Sequence, residues 1–284
     1  MSLTLRDVVA VLDETYPPDT AQSWDQVGLV TGDLDQPVRR ILAAVDPTLA
    51  VIDEARELGA DVLFTHHPLL MRGVHSVATT TAKGASVTSL VVGDVALYVA
   101  HTNADIAEPG VNTALAAACG LSTTEPLAIE EGRAMGRVGD LDEPVTLADF
   151  AERLATALPS APGGIRVSGP AEATVRRIAL LGGAGDSLFD AVRASGADVY
   201  VTSDLRHHPA LEAREEARGG TPFLIDAGHW ATESLWLEHA LERLVAALSD
   251  AGHEVDRLET SVSAVRTDPW SFTVGAMTPT KETS

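Results

Sequence analysis

The sequence predicts an α/β protein made of two related lobes, each with a mixed sheet covered by helices. Short apolar strands alternate with amphipathic stretches of ten or more residues, which is typical of such sheets. The segments RRI, GADV and HHP also occur twice in the same order and at comparable spacing, at residues 39–68 and again at 176–209. This self-similarity indicates a duplicated α/β unit. A chain of 284 residues that is 45% hydrophobic is long enough to bury a sizeable core.

Five elements are predicted in the first lobe, which we assign to residues 1–125. Helical periodicity begins the lobe at about residues 4–15. The stretch "RRILAAVDPT" then indicates a buried strand, which leads into a helix through "LAVIDEARELGA". The next strand is predicted in "DVLFTHHP", and another apolar strand ends near Ala100 in "YVAHTNAD". Both of these strands therefore end next to polar side chains.

The rest of the chain is predicted to form a connecting segment at residues 126–175 and a second lobe at 176–284. The connecting segment contains a strand marked by glycines, a helix that begins near Thr146, and a turn rich in proline and glycine. In the second lobe, "LLGGAGDS" lacks the lysine of a Walker phosphate loop, so we interpret it as a strand-to-helix turn. The stretch "TPFLIDAGHWATESLWLEHALERLVAAL" then passes from an apolar strand into one long amphipathic helix, which either covers its own sheet or supplies an interface.

The overall charge of the protein is strongly negative. Lysine and arginine together number 20 against 41 aspartates and glutamates, which gives a formal net charge of -21. A field of this sign repels nucleic acid and anionic membranes, and it attracts metal cations. The alternative is an acidic surface that only keeps the protein soluble. Nucleic-acid and membrane partners are therefore not expected.

The single cysteine, Cys119, excludes a disulfide or a cysteine-built zinc site within one chain. Its position near a predicted helix end favours a small buried apolar role over that of a nucleophile. The first 18 residues have no apolar core of the kind found in signal peptides, and no run approaches the ~18 apolar residues of a membrane span. We therefore expect a cytoplasmic protein.

Histidines lie at the ends of two predicted strands in the first lobe. His66 and His67 follow one strand directly, and successive side chains on a strand point to opposite faces. Either one of the two is structural, or each binds a different group. The second strand is followed by His101 and Asp105, which the sequence places in a loop, and a carboxylate suits a divalent ion alongside imidazole. Because ligands gather at the carboxyl ends of parallel strands, these side chains are candidates for one site.

The second lobe offers His229 and Glu233, which are four residues apart and share one face if the helix has begun by His229. Each candidate also has a simpler explanation. Asp105 alone could cap the helix that "GVNTALAAA" begins, Glu233 alone could be a surface charge, and His229 could cap a helix or pack under Trp230. Their occurrence together at several strand ends favours a site that binds metal.

Four motifs, "SWDQVGLVTGD", "THHPLL", "HTNAD" and "DAGHWATE", occur in this order and at a spacing that resembles the Nif-three-like family. Bacterial members of that family are often labelled GTP cyclohydrolase type 2 homologs. The resemblance covers nearly the whole chain and implies a Nif-three-like fold, a centre of two divalent ions and a ring-like homohexamer. The metal ligands that it implies are His66, His67, Asp105, His229 and Glu233. The divergent histidine pair would then serve different ions, with one or both carboxylates bridging metals about 3.5 to 4 Å apart.

The resemblance also implies a substrate cleft, but the chain departs from the family in two respects. One is that neither His207 nor His208 matches a metal ligand of the family, and the other is its length. Longer relatives carry an extra domain in the middle of the chain, for which 284 residues leave no room, so any function of that domain is in doubt. Five residues are candidates for lining this cleft, although Trp24 could instead serve in packing and the second HHP segment could instead be structural or solvated. The candidates for the cleft are Trp24, Asp25, His101, His207 and His208.

Two functions are compatible with these residues. The first is a metal-dependent hydrolase of a nucleotide or phosphoester, because two divalent ions lower the pKa of a shared water to about 7 and stabilise charge on a phosphoryl oxygen. The family label suggests the opening of the GTP ring. The second is a metal-binding regulatory or interaction scaffold without catalysis. Mixed imidazole and carboxylate ligands admit zinc, manganese, iron or a similar ion. An open coordination position separates the two functions, since catalytic metals keep one and structural metals do not.

Overall fold

A computed structural model describes residues 3–275 and contains two mixed β-sheets covered by helices, which confirms the predicted fold class. The helices are α1 (Leu5–Thr15), α2 (Leu49–Leu58), α3 (Ala82–Val92), α4 (Thr102–Ile106), α5 (Val111–Ala118), α6 (Leu147–Ala157), α7 (Phe189–Ser195), α8 (His207–Glu216), α9 (His229–Ser234) and α10 (Trp236–Asp250). The strands are β1 (Gly28–Thr31), β2 (Arg40–Ala44), β3 (Val62–Thr65), β4 (Ala96–Val99), β5 (Glu125–Glu130), β6 (Arg133–Thr146), β7 (Arg166–Ser168), β8 (Thr174–Ala184), β9 (Val199–Ser203), β10 (Phe223–Asp226) and β11 (Glu259–Val262).

The first sheet has the strand order β1-β4-β3-β2-β11. Strands β4, β3, β2 and β11 run parallel, and β1 is antiparallel to β4 at the edge. The carboxyl ends of β2, β3 and β4 therefore meet at one edge of the sheet. The residues that follow these ends include Asp46, His66, His67 and His101.

The second sheet has the order β5-β6-β8-β9-β10-β7, with β8, β9 and β10 parallel to one another. The residues at the carboxyl ends of these three strands are Gly183, Asp204 and, after a short turn, His229. Both lobes thus contribute the ends of three parallel strands. These two edges carry the side chains of the candidate site.

The duplicated unit is a parallel strand-helix-strand motif in each lobe, β2-α2-β3 in the first and β8-α7-β9 in the second. The repeated sequence letters have a structural reason. Asp61, in the first GADV, accepts hydrogen bonds from the backbone amides of residues 39 and 40 at 2.6 and 2.9 Å. Asp198, in the second GADV, accepts from the amides of residues 176 and 177 at 2.8 and 2.9 Å. In both lobes the carboxylate fixes the start of the first strand against the start of the second.

The sheets do not follow the predicted boundaries at residues 125 and 175, and the three-part division of the chain stays a prediction. Strands β5, β6 and β7 come largely from the predicted connecting segment and are hydrogen-bonded into the second sheet. Strand β11 comes from the last segment and pairs with β2 in the first sheet. The predicted segments also include residues 1–2 and 276–284, which lie outside the described part of the chain.

The prediction of one long helix after the last strand is wrong in detail. The chain forms two helices, α9 and α10, which are separated at Leu235. The shorter helix, α9, carries His229 and Glu233 of the candidate site. The apolar face of α10 is buried and belongs to the same core cluster as α1, so this helix covers its own lobe.

The helix predicted near Thr146 is confirmed, because Thr146 caps α6. Within residues 3–275, no helix has the length and apolar content required to cross a membrane.

Candidate metal centre

His66 and His67 are held as an extension of β3. The His66 amide donates to the Ala44 carbonyl at 3.1 Å, and the His67 amide donates to the Val45 carbonyl at 2.8 Å, which continues the ladder with β2. His66 is fully buried, and its ring also lies edge-on to Trp236 at the start of α10. The two imidazole centroids are 5.0 Å apart. The backbone thus fixes both rings at the carboxyl edge of the first sheet.

Four histidines in this region share one arrangement, in which Nδ1–H donates to an oxygen of the protein. A neutral imidazole that donates through Nδ1 carries its lone pair on Nε2, and oxygen partners of this kind orient histidines that ligate metals. The four pairs are His66 with the Ala100 carbonyl at 2.9 Å, His67 with Asp46 at 2.7 Å, His101 with Asp25 at 2.9 Å and His229 with Asp204 at 2.8 Å.

Glu233 lies in the middle of the Nε2 atoms that this arrangement leaves available. Its Oε1 is 3.0 Å from Nε2 of His229 and 3.5 Å from Nε2 of His66, and its Oε2 is 3.1 Å from Nε2 of His67. Asp105 approaches from the other side, with Oδ1 3.7 Å from Nε2 of His66. The side chain of Glu233 is nearly inaccessible to solvent. Imidazoles from both lobes therefore face one buried carboxylate.

Three buried polar atoms at this point have no hydrogen-bond partner among residues 3–275: His66 Nε2, Asp105 Oδ1 and Glu233 Oε2. Buried polar atoms are almost always paired, and leaving them unpaired is costly. A cation would satisfy all three, since each is a donor atom that divalent ions accept. Ligand atoms lie within 4.8 Å of one another in two groups that share His67, namely His66 with His67 and His101, and His67 with His229 and Glu233. The residues present thus fit a metal ion.

The charges within the cluster are strongly coupled. Burial opposes the charged form of each group, but the carboxylates of Glu233 and Asp46 raise the pKa of His67 to about 10. In the same way Glu233 raises the pKa of His229 to about 9. The neighbouring histidines hold the pKa of Glu233 well below its usual range despite its burial, whereas burial raises the pKa of Asp105.

Local backbone geometry brings the second-lobe ligands into place. His229 is the first residue of α9, and Glu233 lies one turn later on the same face, as the spacing of four predicted. Gly183, in β8, has φ of +72°, a left-handed conformation that favours glycine. A Cβ at this position would lie 2.4 Å from Oε1 of Glu233 and 3.2 Å from Nε2 of His229. Because Gly183 has no side chain, β8 leaves the space in which His229 and Glu233 approach each other.

The structure corrects the setting of Asp105, which lies in α4 and not in a loop. Helix α4 begins after His101 and ends before Ala107. Asp105 lies about one helical turn after His101, with its Oδ1 3.7 Å from Nε2 of His66. The capping role considered for Asp105 is also wrong, since Gly110 caps the helix that follows.

Three of the predicted cleft residues lie at the centre, and two lie elsewhere. Trp24 is half exposed with its ring edge-on to His101 at 5.9 Å, and the buried Asp25 holds both His101 and Thr102. His207 and His208 are exposed in the first turn of α8. Neither histidine is among the residues that line the described cavities beside His67.

Several residues of the centre were not predicted as such from the sequence. His101 was assigned to the cleft, yet its ring belongs to the group that contains His66 and His67. The supporting carboxylates Asp46 and Asp204 were not singled out at all. A usable signal exists for both, because each follows an apolar strand directly, as "AAVD" and "VTSD". Gly183 was interpreted as part of a turn, although paired glycines inside a strand often mark a close backbone approach.

Two cavities open from the centre. The Trp24 cavity has a volume of about 470 Å³ and is bordered by Trp24, His101, Asp105, Glu233 and the glycines of β8. A larger cavity of about 800 Å³ lies on the other side of His67 and His229, where Arg166 and Trp270 border it. The centre is therefore reachable from solvent, which a purely structural metal site does not require.

Comparisons with known proteins bear on the family and the fold of the chain. The chain matches the model described as Duf34/NIF3 (NGG1p interacting factor 3) over residues 3–269. It is 50% identical over 278 residues to a Streptomyces coelicolor protein named GTP cyclohydrolase 1 type 2 homolog, with 96% of this chain and 95% of the relative covered. A Mycobacterium tuberculosis protein of the same name is 33% identical over 381 aligned residues, which cover 96% of this chain and 98% of the relative, so it carries residues that this chain lacks. The crystal structure of a Bacillus cereus protein related to NIF3 superposes with a TM-score of 0.86 at 25% identity, covering 96% of this chain and all of the other.

Proposed function

The chain belongs to the Duf34/NIF3 family, and from that premise we propose that it binds two divalent metal ions and uses them to hydrolyse a nucleotide or a phosphoester. The observation that carries the proposal is the set of four imidazoles whose Nδ1 atoms are all held by oxygen, with the Nε2 atoms of three of them within 3.5 Å of the buried carboxylate of Glu233. The name of its relatives, GTP cyclohydrolase 1 type 2 homolog, supports a nucleotide as the substrate.

Six residues would hold the ions, one more than the sequence resemblance implied. The added residue is His101, because its Nδ1 is bonded to Asp25 in the same way as in the other three histidines. Glu233 is the proposed bridging ligand, since its two oxygens face imidazoles of both lobes. The proposed ligands are His66, His67, His101, Asp105, His229 and Glu233.

When bound, divalent ions supply activation of water for attack and stabilisation of negative charge on the substrate. The chain itself supplies orientation and charge balance. Asp46, Asp25 and Asp204 fix the imidazole rings, and Asp105 with Glu233 offsets the positive charge of the ions. The residues that line the Trp24 cavity include no lysine or arginine among those described, so an anionic substrate would depend on the ions there.

The test is elemental analysis of the gently purified protein, followed by a hydrolysis screen of nucleotides and phosphoesters with metals restored. We expect close to two divalent ions per chain, with zinc, manganese and iron all compatible with the ligands. A folded protein that holds no metal and cannot be reloaded would refute the proposal. Metal at this stoichiometry without any hydrolysis would favour the non-catalytic scaffold.

Loss of the carboxylate that supports His101 should weaken metal binding. In Asp25→Ala the Nδ1 of His101 loses its acceptor, and loss of such a partner typically costs about 10-fold to 100-fold in metal affinity. Asp25→Asn keeps an oxygen acceptor and should lose less. Competition with a chromogenic chelator measures both variants. Equal affinity in the wild type and in Asp25→Ala would remove His101 from the ligand set.

Metal uptake should release protons and should become tighter as the pH rises from 7 to 9. Without bound ions the pKa of His67 is raised to about 10 and that of His229 to about 9. At pH 7 both rings are therefore protonated on both nitrogens and positively charged. A metal ion binds only the neutral imidazole, so loading at pH 7 should release about two protons per chain. Calorimetric titration in two buffers of different ionisation enthalpy counts these protons. An affinity independent of pH would contradict the assignment of these two ligands.

We also propose a homohexamer and a cytoplasmic location. The hexamer rests on the family resemblance alone, because the apolar face of α10 is covered by its own lobe. Light scattering should give about six times the 29.7 kDa chain mass. A monomer at micromolar concentration would refute the assembly and leave the metal proposal intact. The support for the location is chemical, since one cysteine permits no disulfide within the chain.

A further inference from the structure

Helix α5 packs against both lobes and carries a fully buried polar residue, Asn112. Val111, just before it, belongs to the core cluster that contains α1 and α10, whereas Leu115 belongs to the core cluster of the second sheet. A buried side-chain amide requires partners for both its oxygen and its nitrogen. The two partners of Asn112 show which parts of the molecule it joins.

The first partner is the backbone of a proposed metal ligand. Nδ2 of Asn112 donates to the carbonyl of Asp105 at 2.8 Å. This carbonyl lies near the end of α4, and the residue four positions later is Pro109, which has no N–H to donate. The side chain of Asn112 therefore replaces the missing helical donor. It holds in place the residue whose carboxylate faces His66.

The second partner is the part of β8 that lies against the other ligands. The pairing of β8 with β6 and with β9 is interrupted at residues 181–183. Within this interval Oδ1 of Asn112 accepts a hydrogen bond from the Gly182 amide at 2.9 Å. The next residue is Gly183, which leaves the space for Glu233. Asn112 thus fixes β8 at the point where a strand neighbour no longer does.

A buried hydroxyl continues this connection to a ligand of the second lobe. Thr232 is fully buried, and its hydroxyl accepts from the Gly183 amide at 3.1 Å and donates to the His229 carbonyl at 2.8 Å. Hydrogen bonds and the backbone of β8 therefore form one continuous line from Asp105 through Asn112 and Thr232 to His229. Loss of either linking side chain would leave buried backbone groups without a partner, which is costly.

We propose that Asn112 is a positioning residue of the metal centre, which fixes the distance between Asp105 and the Gly183 segment of β8. The proposal rests on the proposed function, because it assigns Asn112 to the binding of the same ions. Asn112 is not itself a ligand. It acts through Asp105 on one side and, on the other, through the strand that limits the positions of Glu233 and His229. Ligands that come from two lobes depend on such a link, because a shift between the lobes would separate them.

The test is titration of the purified protein with Co²⁺ after removal of metal with a chelator. The visible absorption of bound Co²⁺ depends on the number and geometry of its ligands. Asn112→Ala removes two hydrogen bonds but no ligand, so Co²⁺ affinity should fall about tenfold and the spectrum should change. Asn112→Leu should give the same result. It retains most of the side-chain volume, so it replaces the alanine variant if circular dichroism shows that the cavity prevents folding.

Thr113→Ala is the matched control, because Thr113 is the next residue of α5. Its hydroxyl makes two hydrogen bonds of 2.7 Å, both with the backbone of Gly110 at the start of the helix. The control variant therefore loses as many hydrogen bonds as Asn112→Ala, but none of them connects to a ligand. It should keep the Co²⁺ affinity and the spectrum of the wild type. Urea unfolding measures the loss of stability in each variant.

Three results would contradict the role of Asn112. An unchanged Co²⁺ affinity and spectrum in the folded Asn112 variants would overturn it and leave the proposed function intact. Equal changes in Thr113→Ala and Asn112→Ala would also overturn it, because the cause would then be general destabilisation. A wild-type protein that takes up no Co²⁺ would instead overturn the proposed function, and the role of Asn112 with it.

Discussion

Glu233→Ala is expected to remove most of the bound metal. The carboxylate is buried and lies within 3.5 Å of three imidazole Nε2 atoms, so it would be the most central of the residues that hold the ions. Its loss leaves the charge of the ions poorly compensated. We expect the loss of affinity to exceed the roughly 100-fold that removal of an outer partner costs. Metal content should fall from close to two ions per chain to below one, and any hydrolase activity should fall with it.

His208→Ala is the matched comparison for that result. His208 is exposed on α8 and is not among the residues that line the two cavities described at the centre, so its removal should leave the metal content unchanged. Elemental analysis of both variants, with circular dichroism to confirm folding, makes the comparison. The ligand assignment would be wrong if Glu233→Ala kept its metal while His208→Ala lost it. The second HHP segment would then belong to the metal site.

Gly183→Ala is expected to disrupt the centre without removing any ligand. The new methyl group would lie 2.4 Å from Oε1 of Glu233, far inside contact distance, so Glu233 must move away from the imidazoles. The positive φ adds about 1 to 2 kcal/mol of strain for a residue with a Cβ. We expect metal affinity to fall at least about tenfold, as for other changes that disorient ligands. Metal titration and urea unfolding measure the two effects separately.

Gly196→Ala controls for the strain. Gly196 follows α7 with φ of +69°, close to that of Gly183, but a Cβ there would meet no atom within 4 Å. It should lose similar stability, about 1 to 2 kcal/mol, and keep its metal. If both variants lost metal equally, the effect would come from general destabilisation, and the close approach of β8 to Glu233 would have no functional importance.

Local patterns were sufficient to predict much of this molecule. The adjacent pair His66 and His67 and the spacing of four between His229 and Glu233 report geometry that one strand or one helix fixes by itself. The duplication was also readable, because Asp61 and Asp198 repeat one carboxylate-to-amide contact and so repeat the same letters.

Contacts between distant segments were not predictable in this way. The role of His101 depends on Asp25, which lies 76 residues earlier and reaches it only because β1 returns beside β4. Gly183 matters because of side chains about fifty residues later in the chain. Periodicity and spacing describe neighbours within one element, and they contain no information on which loop packs above which strand end.

The return of β11 to the first sheet has a consequence for synthesis of the protein. Strand β2 emerges from the ribosome more than two hundred residues before Glu259–Val262, its partner on the open side. Until then, residues Ile41 to Ala44 of β2, which are buried in the folded protein, form an unpaired strand edge. This edge can pair with another nascent chain. Premature termination before Glu259 would make that exposure permanent. Truncated products are therefore expected in the insoluble fraction even when they include every proposed metal ligand.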